Sequence, residues 1–386
     1  MRTVRPTRRS TLAHYVLPRK RGSNLKLLVQ PRDGIEPLLA GIKGAKKSID
    51  ILIFRMDWKD LENALKSASN NGVAVRALIA HTNRGGEPKL RSLETRFLEA
   101  GIVVGRTADD LIRYHGKMMI IDRQTLFVLS FNFVHMDIDH SRGFGIVTKS
   151  GKFVQEAVKL FEADLNRQPY TTSRNTLVIS PTNARKQLTT FIKQARKQLL
   201  IYDPKIADRE MMKLLEAQAK AGVEVKVIGT IAAKSANLLV EPLSSMRLHT
   251  RTIIRDGTQA FVGSQSLRQP ELDLRREIGI IVRDAKVLKT LLATFEEDWA
   301  ATGSDEARDT VKAEEPPPEQ TAKATRALAK QMPPLQSSLK KAIKQAVTKA
   351  GKEALTQGAL KSTVKSAVKT AVKEAVKELA QEEQPQ

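Results

Sequence analysis

The chain has no cysteine among its 386 residues, which excludes disulfides, thiolate metal ligands and thiol nucleophiles while leaving any redox compartment open. Aromatic residues make up only 4% of the chain, so platforms for stacking single-stranded bases are few. No run of about 18 apolar residues occurs. The best runs, at residues 51–54 and 126–134, reach strand length, and no membrane-spanning segment is expected. The first 32 residues carry nine Lys/Arg and no acidic residue, and they hold no apolar stretch long enough for a cleavable secretory signal.

The length suits two or three folded units. Apolar residues at 41% and charged residues at 28% are those of a globular chain, which rules out collagen, a mostly disordered chain and a membrane bundle. The formal charge is +23, of which +9 lies in residues 1–32, +4 in residues 304–386 and +10 between them. Such a field attracts polyanions without choosing between nucleic acid and an anionic lipid surface.

From residue 25 onward, β-rich runs alternate with helical patterns. The reading is a strand at 25–29, a helix from about 34, a strand at 49–54, a helix to about 70 and a strand at 73–79. This alternation predicts βα units around a mostly buried sheet. A similar series returns, with a strand at 177–180, a helix over 184–198, a strand at 199–202, a helix ending at Gly222 and a strand at 223–228. In both copies a glycine, Gly72 or Gly222, stops a helix ahead of a buried strand, at an offset of 150. Further on the offset settles at 134: His115 pairs with His249, Asp122 with Asp256, Phe127 with Phe261, Ser130 with Ser264, Gly145 with Gly279 and Phe161 with Phe295. The 16 extra residues of the first copy are read as an added helix within 84–101. Two similar halves are expected to pack about a pseudo-twofold axis and bring equivalent strand ends to one cleft.

The resulting organisation is a basic arm at 1–23, a first domain at 24–168, a second at 169–303, a Pro/Glu/Ala linker at 304–338 and a Lys/Ala-rich helical tail at 339–386. The arm reads as a disordered segment, with contact to an anionic polymer or lipid as the second reading. In the tail, Lys361, Lys365, Lys369, Lys373 and Lys377 recur beside Val364, Val368, Val372 and Val376. A four-residue repeat creeps about 40° per step around a helix, so the apolar seam is narrow and winding. A solvated or oligomerising helix is the first reading, and a basic helix on an anionic membrane or along nucleic acid the second.

Two segments carry chemistry. Residues 114–122 and 248–256 both read His-x-basic-x4-Asp, through His115, Lys117 and Asp122 and through His249, Arg251 and Asp256. On a strand, residues two apart share a face, so each His and its cation can point at one anion. Phosphodiester chemistry needs that pairing, an imidazole as nucleophile or general acid and a fixed cation for the charge on the phosphoryl oxygens. Ser130 and Asn132, like Ser264 and Ser266, follow their His by fifteen and seventeen residues.

These residues resemble the phospholipase D superfamily, marked by a doubled His-x-Lys-x4-Asp motif, each copy followed by a Gly-Ser-x-Asn-like turn. The resemblance covers roughly residues 25–300, and the stretch from Leu200 through Lys205, with 210–229, is similar to the bacterial cardiolipin-synthase-related group. It implies an α/β fold of two similar domains with mixed sheets flanked by helices. It also implies a two-step displacement at phosphorus that uses neither metal nor cofactor. One His forms a phosphohistidine; the other protonates the leaving oxygen, then activates water or an alcohol. Carried over by position, His115 is the nucleophile and His249 the general acid/base, with the reverse assignment open. Lys117, Asn132, Arg251 and Ser266 would hold the phosphoryl oxygens, with Ser130 and Ser264 beside them. Asp122 and Asp256 belong to the motif's catalytic set, although bracing a strand end suits them better.

Three departures stand out. Arg251 replaces a Lys, and Ser266 replaces an Asn. Glu277, 28 residues after His249, fits the carboxylate that orients an imidazole, whereas Gly143 stands at that distance from His115. Asp137 or Asp139 are candidates for the missing carboxylate, read first as exposed loop charge, and His135 and His140 as loop residues rather than metal ligands. The expected function is a phosphodiesterase acting on phospholipid by hydrolysis or phosphatidyl transfer. The alternatives are a metal-independent nuclease and a catalytically impaired scaffold binding phosphate or nucleic acid. Partners are then a phospholipid or other phosphodiester, with an anionic membrane or nucleic acid on the arm and tail. The lack of an export signal tilts localisation to the cytoplasm, peripheral at a membrane, with secretion by another route left open.

Overall fold

In chain order the first half runs β1 (Leu25–Gln30), α1 (Glu36–Lys43), β2 (Ser48–Ile53), α2 (Lys59–Asn70), β3 (Ala74–Ile79), α3 (Glu87–Glu99), β4 (Val103–Arg106), β5 (Arg113–Tyr114), β6 (Met118–Ile121), β7 (Thr125–Leu129), α4 (His135–Asp139), β8 (Ser141–Thr148) and α5 (Gly151–Leu165). The second runs β9 (Leu177–Ser180), α6 (Ala184–Lys193), β10 (Gln198–Ile206), α7 (Arg209–Lys220), β11 (Glu224–Ile231), β12 (Leu239–Glu241), β13 (Arg247–Leu248), β14 (Arg251–Arg255), β15 (Gln259–Gly263), α8 (Gln269–Asp273), β16 (Arg275–Val282) and α9 (Ala285–Ala301). This computed structural model describes residues 25–83, 87–172, 177–233 and 235–302. The basic arm, the linker and the Lys/Ala tail lie outside the described residues. Element for element the halves match, except that α3 has no counterpart; it is the added helix that the change of offset requires. The helix expected over 184–198 ends earlier, at Lys193, because the backbone amides of 196–198 turn onto the Asp256 carboxylate.

Each half builds a mixed sheet. The first has the order β1-β8-β7-β6-β2-β3-β4, and the second repeats it as β9-β16-β15-β14-β10-β11-β12. The β2, β3 and β4 ladders are parallel and the others antiparallel, as are their counterparts. β2 reads Ser-Ile-Asp-Ile-Leu-Ile and is buried from Ile49 to Ile53, as a strand covered on both faces must be. One apolar cluster lies between β2 and the helices α1, α2 and α3, and a second packs α6 and α7 on the other sheet. The third draws on both halves, joining Val128, Phe144 and Phe161 with Tyr202, Ile254, Ile280 and Phe295. Tyr202 meets Phe144 and Phe295 edge-on, with ring centroids 5.4 and 5.0 Å apart.

The halves are also tied by a reciprocal pair of ion bridges. Arg142 of β8 grips Asp298 of α9 through Nε and a terminal nitrogen at 2.8 and 2.7 Å. Its counterpart 134 residues on, Arg276, meets Asp164 of α5 at 3.0 Å. Residue i of one half contacting j of the other, and the reverse, is the signature of a twofold relation. Asp298 also accepts the Tyr202 hydroxyl at 2.7 Å, whereas burial pushes Asp164 up to about 6 against the pull of Arg276.

Candidate active site

The two histidines are delivered by an exchange of short strands. β5 leaves its own half and pairs in parallel with β16, setting Arg113 opposite Arg275 and Tyr114 opposite Arg276. The next residue, His115, donates its backbone N–H to the Arg276 carbonyl at 2.8 Å. Reciprocally, β13 pairs in parallel with β8, and His249 donates its N–H to the Arg142 carbonyl at 3.1 Å. Each imidazole is thus pinned to the opposite half.

The exchange decides which carboxylate meets which ring. His115 Nδ1 lies 2.8 Å from Glu277 Oε2, so Glu277 serves the His of the other copy, not His249 as its spacing suggests. His249 Nδ1 instead faces Asp137 Oδ2 at 3.5 Å. Asp137, expected as an exposed loop charge, is 2% exposed at the first turn of α4. Its oxygens accept the backbone and side-chain N–H of Asn132 at 2.8 and 2.6 Å and one N–H of Arg247 at 2.6 Å. Asp139 is exposed and pairs with His135, whose ring stacks on Trp58 at 3.8 Å. His140 is exposed as well. Among the described residues no three or more His, Cys, Asp or Glu gather as a metal-binding group.

Lys117 is fully buried, with Nζ 2.9 Å from Nδ1 and 2.8 Å from Nε2 of His115. With Nδ1–H given to Glu277, Nε2 carries the free lone pair that this ammonium faces. Phe54 closes the wall, edge-on to His115 at 4.5 Å and under the Lys117 ammonium at 5.4 Å. In the other copy Arg251 bends back on itself. Its Nε donates to Ser266 Oγ at 3.1 Å and a terminal nitrogen donates to the His249 carbonyl at 2.7 Å. Ser266 in turn hydrogen-bonds Asp203, a buried carboxylate whose oxygens also accept the amides of Lys205 and Leu267.

Four expected site residues serve the scaffold instead. Ser130 Oγ accepts the Phe144 amide at 2.9 Å, and Ser264 Oγ bonds both the amide and carbonyl of Ile278, so these hydroxyls brace β8 and β16 rather than a phosphate. Asp122 accepts the amides of residues 46–48, and Asp256 those of 196–198. Both sit in left-handed turns, φ 53° and 52°, beyond β6 and β14. A four-residue strand separates Asp122 from the His115 side, about 13 Å of chain.

Electrostatics treat the two rings alike. Burial pushes His115 well below the ordinary imidazole range, and Lys117, Arg251, Arg275 and Arg113 push further. Burial does the same to His249, with Arg251, Arg247 and Lys117 outweighing the opposing pull of Asp137. Lys117 and Arg251 act on both rings, so both imidazoles lie in one field. Burial also lowers the Lys117 ammonium and raises the Glu277 carboxyl. The resting state is therefore two neutral imidazoles in a cationic cage. An entering anion offsets the cage and lets one ring take a proton.

Sequence reasoning missed Asp203, Phe54, Arg113 and Arg275. For Asp203 the signal was present, a carboxylate inside the apolar run 199–206. Among the described residues no helix is long and apolar enough to cross a membrane.

Comparison with known proteins agrees with this geometry. The chain is 24% identical over 332 residues to the probable cardiolipin synthase YwiE of Bacillus subtilis, a match covering 72% of this chain and 66% of that protein. Among solved structures, polyphosphate kinase from Porphyromonas gingivalis superposes with TM-score 0.61 at 19% identity, over 71% of this chain and 50% of the other. Phosphatidylserine synthase from Haemophilus influenzae superposes with TM-score 0.55 at 11% identity, over 72% and 85%. At these identities the superpositions speak for the fold alone. The family model described as cardiolipin synthase, PLD-like domain, matches residues 38–165 and 188–299, one segment in each half and well over half of the sequence, and the chain belongs to that phospholipase D-like family.

Proposed function

We propose that the chain is a phosphatidyl-transferring or hydrolysing phosphodiesterase that works through a phosphohistidine on His115. The observation that carries this reading is the Glu277–His115–Lys117 arrangement, which fixes the ring and leaves Nε2 in front of a buried cation. In the first step the Nε2 lone pair attacks phosphorus, the bond to the leaving oxygen breaks, and that oxygen takes a proton from His249. In the second step His249 takes the proton of water or an alcohol, its oxygen attacks phosphorus, and the P–N bond breaks to restore His115. Lys117 and Arg251 offset the charge on the phosphoryl oxygens, while Asn132 and Ser266 shape the cradle. Asp137 steadies the His249 imidazolium.

A phospholipid substrate is supported by the likeness to cardiolipin synthases and by the basic surface field. The test is incubation with labelled phosphatidylglycerol, followed by lipid analysis and intact-mass detection of an acid-labile protein adduct. The wild-type chain should release phosphatidate or cardiolipin; His115→Ala should give neither product nor adduct, and His249→Ala should accumulate adduct at a reduced rate. Equal product from wild type and His115→Ala would remove the proposal.

A further inference from the structure

The strand exchange that delivers His115 also forms a ladder from the site to the surface. β5 and β16 run parallel, so every rung carries one residue from each half. The inner rung is His115 with Glu277, joined at 2.8 Å. The middle rung sets Arg113 opposite Arg275, both partly exposed. The outer rung is Ile112 with Leu274, 60% and 38% exposed and joined by a backbone hydrogen bond of 3.1 Å. Few large apolar side chains among the described residues are that exposed, and here two share a rung three residues from the site.

The equivalent ladder at His249 lacks this composition. There Arg247 faces Ser141 and is bridged to Asp137, and the outer positions are Met246 and His140. Two arginines directly opposite one another repel, and an anion between them relieves that repulsion. The nearby carboxylates are largely engaged within the protein: Glu271 with Arg275, Asp273 with Arg185 and Asp110 with the Tyr114 hydroxyl, leaving exposed Asp109 to oppose the field. An apolar rung outside a cationic rung is the layering of a phospholipid surface, acyl chains beyond phosphates. At about 3.3 Å per residue the outer rung lies about 10 Å from His115, comparable to the depth of a headgroup layer.

Building on the phospholipid reading above, we propose that this ladder is the docking edge for an anionic phospholipid bilayer. Ile112 and Leu274 enter the acyl boundary, Arg113 and Arg275 take lipid phosphates, and the scissile lipid passes between them to His115. A nucleic acid would engage the same arginines but offers nothing to the apolar rung.

Because the chain has no cysteine, Ile112→Cys gives a unique attachment point for a polarity-sensitive fluorophore on the full-length protein. Phosphatidylglycerol vesicles should blue-shift and brighten the probe at 112. Phosphatidylcholine vesicles and duplex DNA should not, nor should phosphatidylglycerol affect a probe at Leu98→Cys, an exposed position on α3. An unchanged spectrum at 112 with phosphatidylglycerol overturns the proposal, as does an equal response to DNA. Turnover gives the second reading. Ile112→Ser with Leu274→Ser should lose about tenfold on vesicular phosphatidylglycerol yet stay within about twofold of wild type on monomeric dihexanoyl phosphatidylglycerol. If wild type turns over both forms and the double variant loses neither, the docking edge falls and the reaction stands. If wild type turns over neither form while the probe at 112 responds, the edge stands and the reaction reading falls.

Discussion

Glu277→Gln keeps the size of the side chain and removes its charge. In the native protein this fully buried carboxylate accepts the Nδ1 proton of His115 at 2.8 Å and so leaves the Nε2 lone pair for phosphorus. A glutamine amide can offer its own N–H to Nδ1, which moves the ring proton to Nε2 and occupies the nucleophilic position. A charge-assisted hydrogen bond of about 1.5–3 kcal/mol corresponds to about 10- to 150-fold in rate, and the wrong tautomer extends the expected loss in kcat to about 10²–10⁴-fold. The fold should tolerate the change, because burial already raises the Glu277 carboxyl and the charge is held at a cost. A thermal melt shifted by less than about 3 °C would separate a chemical from a structural effect.

The assay is rapid-quench single turnover with labelled phosphatidylglycerol, reading acid-labile label on the protein. Glu277→Gln should slow formation of the adduct. Asp137→Asn, at 3.5 Å from the other ring, should chiefly affect later turnover. The opposite pattern, with adduct formed at the wild-type rate in Glu277→Gln and abolished in Asp137→Asn, would move the nucleophile to His249 and refute the reasoning from these two distances.

Asp122→Ala should cost on the order of 1 kcal/mol in denaturant melts, since it strands the amides of 46–48 at a solvent-accessible turn, and leave kcat within about twofold. A large kcat loss at unchanged stability would return Asp122 to the chemistry. Asp298→Ala leaves the buried Arg142 guanidinium unpaired and should cost about 3–5 kcal/mol, with Asp164→Ala costing less because Asp164 is pushed up to about 6 and holds Arg276 by a looser pair; equal losses in chemical denaturation would contradict the asymmetry. The lowered histidines make stability depend on pH. The unfolded chain takes up protons on His115 and His249 near pH 6.5 while the folded chain does not, so stability should fall as pH drops below about 6.5, by up to about 1.4 kcal/mol per unit for each ring. Asp164 works the other way, its contribution falling as pH rises from 3.8 to about 6. Denaturation at pH 7, 6 and 5 should show a shallower slope for His115→Asn with His249→Asn; an unchanged slope would mean that the rings are not held neutral.

The duplication was legible because constant offsets of 150 and 134 survive in the spacing of glycines, phenylalanines and the motif itself, and the strand order of the two sheets follows from them. The trans pairing of carboxylates was not. β5 and β13 are two residues long, too short for any period, yet they carry each His across to the other sheet. Spacing within one copy therefore gave Glu277 to the wrong ring and left Asp137 in solvent. The serines failed for a different reason. A hydroxyl at a strand end has a backbone amide and carbonyl within reach as well as any ligand, and in Ser130 and Ser264 the neighbouring strand takes it.

The departures of the second copy make sense as one linked set rather than as losses. A lysine in place of Arg251 would be a point donor. The guanidinium fork instead spans two acceptors, Ser266 Oγ and the His249 carbonyl, and so ties the motif strand to the following turn. The short Ser266 suits that longer arm, and Asp203, which holds both Ser266 and the Leu267 amide, supplies the anchor that Asp137 gives Asn132 in the first copy. The two copies thus reach a comparable cradle by different chemistry. The half with the compact cation pressed on its ring suits a nucleophile whose lone pair must stay unprotonated. The half with its cation drawn back onto the backbone leaves His249 freer to gain and lose a proton, as a general acid and base requires.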